Sequence, residues 1–152
     1  MKALELRIPP PVVGLLVASA MWAIARALPS LLAVREPAFA AAVVALIGVS
    51  FDIAGIVSFY RAKTTVNPQR PHKTSSLVST GVYRVTRNPM YVGLLFLLIA
   101  WAIYLSSAWA LLGPLAFVLY MNRFQIGPEE KVLGVLFGDE YEDYKRKVRR
   151  WI

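Results

Sequence analysis

Residues 79–93 read STGVYRVTRNPMYVG, and residues 94–105 continue LLFLLIAWAIYL. Two arginines, an asparagine, a proline and two tyrosines stand at the mouth of an apolar helix-length run. A membrane helix needs no such preface, whereas a binding site at a membrane surface does. Gly81 permits a tight turn or a close backbone approach. Pro89 suits the first turn of a helix entering the apolar run. That helix aims its free N–H groups and positive dipole end at the stretch, which favours an anionic group there. Arg87 adds a fixed planar charge suited to a carboxylate or phosphate.

Outward from this stretch, the chain of 152 residues is 57% hydrophobic, with a formal net charge of +8 and a mean hydropathy of +0.53. A soluble domain of this length cannot hide so much apolar surface; a membrane protein with basic loops can. The chain has no cysteine, which excludes disulfides, a thiol nucleophile and thiolate metal sites. One histidine, His72, excludes a His-rich metal centre.

Four apolar segments follow: 8–28, 37–60, 90–105 and 108–121. The first two have the roughly 20 residues that cross about 30 Å of hydrocarbon. The last two are short and are joined by Ser106 and Ser107, which predicts a tight helical hairpin. The expected fold is all-α: a polytopic membrane bundle of about four transmembrane helices with a cytoplasmic loop and C-terminal amphipathic helices. Residues 1–152 form one domain, with two membrane helices in 1–60 and a ligand-binding region in 61–152. The alternative for the start of the chain is a signal peptide, since Ala25-Arg26-Ala27 resembles a cleavage site. The proline run at 9–11 and the later apolar segments argue against it.

Lysine and arginine placement sets the expected orientation. Lys2 and Arg7 precede the first segment; Arg61, Lys63, Arg70, Lys73, Arg84 and Arg87 lie between the second and third; Arg123, Lys131 and the 145–150 cluster follow the fourth. If the segments alternate, all share one side, and the other keeps Arg26 and Arg35. Both termini and the 61–89 loop are then cytoplasmic. Arg61, Lys63, Arg70, Lys73 and His72 read as a solvated surface on anionic lipid.

In the tail, Gly127-Pro128-Glu129-Glu130 reads equally as a helix start with acidic residues in its first turn and as a site. Asp139 and Glu142 resemble a capping box after Gly138. Val132, Leu133, Leu136 and Phe137 form one apolar face, which Tyr141, Tyr144, Val148 and Trp151 continue. A hairpin brings its outer ends together, so Arg87, Asn88 and Tyr91 are expected to face Glu129 and Glu130. Both charge signs in one place suit a zwitterion. Asp52, inside the second segment, is a functional suspect as an intramembrane ionisable group, or else a packing residue.

The motifs TTVNP, LVSTGVYRVTRNPMYVG, GPEE and FGDEYEDYKRKV, spread over residues 60–152, resemble the isoprenylcysteine carboxyl methyltransferase and phospholipid methyltransferase superfamily of integral membrane enzymes. The resemblance implies S-adenosylmethionine as methyl donor, bound on the cytoplasmic side, with S-adenosylhomocysteine as product. It places Arg87, Asn88, Pro89 and Tyr91 in one binding motif, Glu129 and Glu130 in a second, and Gly81 and Tyr83 in the turn that shapes the cradle. Glu129 and Glu130 are expected to anchor the donor's amine or ribose hydroxyls, and Arg87 with the helix start its carboxylate. Arg123 is a candidate for orienting an acidic acceptor, and with Glu130 makes up the expected catalytic set. Asn88 stands where eukaryotic relatives carry histidine, so no base titrating near neutrality is available there. No metal and no nucleic acid are implied. The implied partners are the bilayer and a lipophilic or small methyl acceptor with a carboxylate, amine or thiol. A bacterial inner-membrane enzyme acting on something other than a prenylated protein is the expectation. Two rival readings are a membrane reductase using a nicotinamide cofactor and a non-catalytic lipid-interaction module.

Overall fold

The computed structural model describes residues 5–29, 36–62 and 76–152. The expectations for Arg70, His72, Lys63 and Lys73, and the TTVNP motif, lie outside the described residues. The described residues are helical throughout, with turns and no strand. Helices α1 (Pro10–Ala27), α2 (Pro37–Ala62), α3 (Pro89–Leu105), α4 (Leu112–Tyr120) and α5 (Gly127–Lys147) appear in chain order. Single helical turns at Gly81–Arg84 and Ala108–Leu111 lead into α3 and α4, and a π-helical turn, Met121–Ile126, joins α4 to α5.

The apolar segments fix the helices almost to the residue. Proline at the first turn of α1 and α3 starts each helix where its missing N–H costs nothing. Two helices, Pro10–Ala27 and Pro37–Ala62, are long and apolar enough to cross a membrane; Pro89–Leu105 is apolar but shorter. The α3–α4 hairpin turns at Ser106, whose backbone is left-handed at φ 48°. Its N–H caps Ile103 at 3.0 Å, and Ala110 N–H then bonds back to Ser107 at 3.1 Å.

α3 is the central helix. α2 lies along it, and α1 packs on α3 and α4. The α2 contact is close because glycine faces it: a Cβ on Gly48 would lie 2.8 Å from the Gly93 carbonyl oxygen. Asp52, one turn further on the same face, presses its carboxylate against Gly93, and Gly55 faces Met90. On the other side, Trp101 of α3 donates its indole N–H to the Ala18 carbonyl at 3.0 Å. Val13, Met21, Leu98, Phe117, Met121 and Ile126 close that core. In hydrocarbon, close packing and such internal hydrogen bonds hold helices together, since lipid is as apolar as the side chains.

The tail departs from expectation. Gly127-Pro128 opens α5 but not from a free helix end. The backbone stays helical from α4 into α5, with Tyr120 at φ −60° and Gly127 at φ −57°. Pro128 is accommodated instead by the π turn, in which the Gly127 N–H reaches back to Asn122. Pro128 has no N–H for the Phe124 carbonyl four residues earlier, and Leu6 N–H supplies one at 3.1 Å. Glu129 and Glu130 therefore sit inside a continuous helical run, where an exposed helix dipole does not account for them. The break comes at Gly138 (φ 48°, ψ −125°), as the sequence anticipates. Beyond it, Tyr141, Tyr144 and Val148 pack with Val78 and Tyr83. Leu136, expected on that face, is exposed.

Candidate functional site

The start of α3, the first turns of α5, the turn at Gly81–Arg84 and the C-terminal residues meet at one end of the bundle. Gly81 adopts φ +62°, and a Cβ there would also press on Ser58 Oγ at 3.0 Å. This lets the chain turn tightly under the end of α2. The next turn buries Tyr83, whose ring meets Phe59 edge-on with centroids 5.5 Å apart. The Tyr144 hydroxyl donates to the Tyr83 carbonyl at 2.7 Å and ties the turn to α5.

Thr86 and Asn88 fix the entry into α3. The Thr86 hydroxyl accepts the Asn88 N–H at 3.1 Å and donates to the Arg150 carbonyl, also at 3.1 Å. The Asn88 side-chain amide donates to the same carbonyl at 2.9 Å. Asn88 thus holds the C-terminal segment rather than capping α3, whose N-terminus has no side-chain cap. Pro89 then opens the helix and is itself buried.

Arg87 and Tyr91 do reach the acidic pair. The Tyr91 hydroxyl donates to Glu129 Oε1 at 2.6 Å. Arg87 Nη1 stands 3.1 Å from Glu130 Oε1. That is ion-pair distance without hydrogen-bond alignment: Nε and Nη1 of Arg87 are buried with no acceptor among the described residues. Glu130 is held instead by Arg150, through Nε at 3.1 Å and Nη2 at 2.6 Å. Glu129 has no arginine or lysine in salt-bridge range among the described residues. Burial, aided by the neighbouring Glu130 charge and opposed by the Tyr91 hydrogen bond, pushes its carboxyl up to about 8.

Arg123 lies apart from this cluster. It is half-exposed and pairs with Glu5 at 3.3 Å. Arg150 is the residue that sequence reasoning missed. It stands in the 145–150 run of basic residues, which by sequence serves only the charge asymmetry, and only the return of the tail to the start of α3 reveals its partner. The apolar groove between Ala38–Ala45 of α2 and Trp101 and Tyr104 of α3 is a separate feature. Its α3 lining, Leu97 to Tyr104, lies roughly 12–22 Å along the helix from Pro89 at the helical rise.

An all-helical fold with membrane-length apolar helices thus carries, at one end, a compact cluster of arginine, tyrosine and paired glutamates. A sequence profile of the phospholipid methyltransferase family matches residues 37–140, and the chain belongs to the isoprenylcysteine carboxyl methyltransferase and phospholipid methyltransferase superfamily. An uncharacterized protein of Haemophilus influenzae is 51% identical over 63 residues, covering 41% of this chain and 100% of that protein. A probable protein-S-isoprenylcysteine O-methyltransferase of Oryza sativa subsp. indica is 33% identical over 109 residues, 70% of this chain and 56% of that protein. The protein-S-isoprenylcysteine O-methyltransferase of Saccharomyces cerevisiae is 38% identical over 80 residues, 47% of this chain and 30% of that protein. The chain therefore spans about half the length of the rice relative and less than a third of the yeast one. No solved structure matches it.

Proposed function

We propose that the protein is an integral membrane methyltransferase that uses S-adenosylmethionine and acts on a lipophilic or small membrane-partitioning acceptor at the cytoplasmic face. The observation that carries this reading is a carboxyl with no cation at hand close to a guanidinium with unmet hydrogen-bond donors. Glu129 is a part-buried carboxyl with a tyrosine hydroxyl beside it and, among the described residues, no cation in salt-bridge range. Arg87, one side chain away across Glu130, has buried Nε and Nη1 donors with no acceptor among the described residues. An amino-acid moiety, with an ammonium and a carboxylate on one carbon, answers both.

In this reading Glu129 takes the amine, Arg87 and the start of α3 at Pro89 take the carboxylate, and Glu130 holds Arg87 in place. Tyr91 orients the Glu129 carboxyl. Gly81 and Tyr83 shape the wall beneath, and Asn88 secures the segment that closes it. Arg123, exposed on the adjoining turn, is the candidate for orienting an acidic acceptor. The bound donor supplies an already activated methyl sulfonium. The chain has to align acceptor and methyl group and exclude water, and alignment alone lowers a barrier by about 7–11 kcal/mol. No residue is required to titrate at Asn88.

The test is titration of the purified protein in detergent with S-adenosylmethionine, S-adenosylhomocysteine and NADPH. Saturable binding of the first two and none of NADPH is expected. NADPH binding alone selects a reductase, and no binding of any of the three leaves a lipid-interaction module. A methyl-transfer screen over carboxylate, amine and thiol acceptors then identifies the substrate class.

A further inference from the structure

The last residues of the chain cross the site as an extended strap. Its anchors are mostly main chain. Arg87 N–H donates to the Arg149 carbonyl at 2.9 Å. Thr86 and Asn88 donate to the Arg150 carbonyl, and the Trp151 indole N–H donates to Asn122 Oδ1 at 3.1 Å. None of these four bonds needs the side chain of Arg150.

That side chain turns inward. Its Nε and Nη2 take both oxygens of Glu130, and its Nη1 reaches Asn122 Oδ1 at 3.3 Å. A fork of this kind fixes the plane of a carboxylate as well as its charge. Glu130 Oε1 then sits 3.1 Å from Arg87 Nη1. One carboxylate lies between two guanidinium groups, and the inner of the two keeps unmet hydrogen-bond donors. The adjacent Glu129 shares in none of this.

We propose that Arg150 is a positioning residue for ligand binding. By occupying Glu130 in a fork it locks that carboxylate, and the locked carboxylate holds Arg87 by charge alone. The Nε and Nη1 donors of Arg87 stay available for the carboxylate of an incoming amino-acid moiety. The neighbouring glutamates thereby divide the work: Glu130 belongs to the frame and Glu129 faces the ligand. This rests on the reading of the site as a methyl-donor pocket. The competing account makes Arg150 no more than a fastener of the tail.

The two accounts differ on a ligand that lacks the amino-acid end. Calorimetry on the full chain compares S-adenosylhomocysteine with 5′-methylthioadenosine, which keeps the nucleoside and thioether only. For Arg150→Gln, S-adenosylhomocysteine affinity is expected to fall tenfold or more while 5′-methylthioadenosine affinity holds, which also reports a folded pocket. Arg150→Lys, with a charge but no fork, is expected to fall between parent and Arg150→Gln. Unchanged S-adenosylhomocysteine affinity in Arg150→Gln overturns the proposal, and so does an equal loss of both ligands. A parent that binds neither ligand overturns the methyl-donor reading and this proposal with it.

Discussion

Glu129 and Arg87 are the two residues on which the functional reading turns. A carboxyl held at about 8 by burial is mostly protonated at neutral pH. An ammonium ligand requires its ionised form, so binding releases a proton. The sign follows: S-adenosylhomocysteine affinity should rise with pH from about 6 to about 8, by at most about tenfold per unit, and level off above. Glu129→Gln should bind more weakly and lose the slope, as calorimetry in buffers of differing ionisation enthalpy will reveal. The same shift costs stability in the free protein. The raised carboxyl is fully compatible with folding below pH 4.5 and becomes a growing burden as pH climbs towards 8. Glu129→Gln should therefore match the parent near pH 4 and exceed it above pH 8, by an amount on the order of a few kcal/mol.

Arg87→Lys separates a site from a basic flank. A flank that only keeps charge on the cytoplasmic side accepts lysine; a carboxylate read by a planar fork does not. Normal insertion with S-adenosylhomocysteine affinity reduced roughly tenfold or more is expected, since a charge-assisted bond contributes about 1.5–3 kcal/mol. Arg84, exposed three residues earlier, should tolerate lysine without effect. Equal binding by Arg87→Lys and the parent would remove the carboxylate role from Arg87.

Among the elements, α2 and α3 depend on contact between glycine surfaces. A methyl group at Gly48 would meet backbone oxygen at 2.8 Å and Phe96 Cβ at 3.1 Å, so the helices must part. Gly48→Ala should lower the thermal midpoint in detergent, with a cost of about 1–3 kcal/mol for such overpacking. Gly134→Ala is the control. Its methyl group finds only Tyr141 Cδ1 at 3.9 Å, and a helical alanine gains up to about 1 kcal/mol. A Gly48→Ala protein as stable as the parent would show that α2 slides freely on α3. The start of α3 was legible at this scale because Pro89 marks it in the chain itself. The π turn was not. Gly127-Pro128 carries the same local signal as a helix start, and the outcome depended on Leu6 arriving to satisfy Phe124.

For the molecule as a whole, the lysine and arginine pattern predicts four crossings with both termini cytoplasmic. The cysteine-free chain permits a direct check by single substitutions at exposed positions. Leu28→Cys should react with an impermeant thiol reagent outside intact cells, and Ile152→Cys only after lysis. The reverse pattern would invert the orientation, and labelling of both outside would require an odd number of crossings.

The sequence by itself determined the apolar helices, the proline start of α3, the Ser106–Ser107 hairpin and the glycine break at 138. Each is set by composition or backbone chemistry within a few residues. It also determined that Arg87 and Tyr91 would meet the glutamate pair, because a hairpin of two equal arms leaves its ends no other place. The tertiary structure alone decided how the charges are shared. Glu129 and Glu130 are chemically identical neighbours, and only the path of the tail gives one of them Arg150 and leaves the other against Tyr91. Likewise Arg123 and Arg150 read alike as basic residues near the membrane edge, yet one faces Glu5 and the other Glu130. Charge attraction reaches every pairing a flexible chain can bring within a few ångströms, so sequence proximity does not select among them. Helix packing and the hydrogen bonds that Thr86, Arg87 and Asn88 donate to the tail's main-chain carbonyls do.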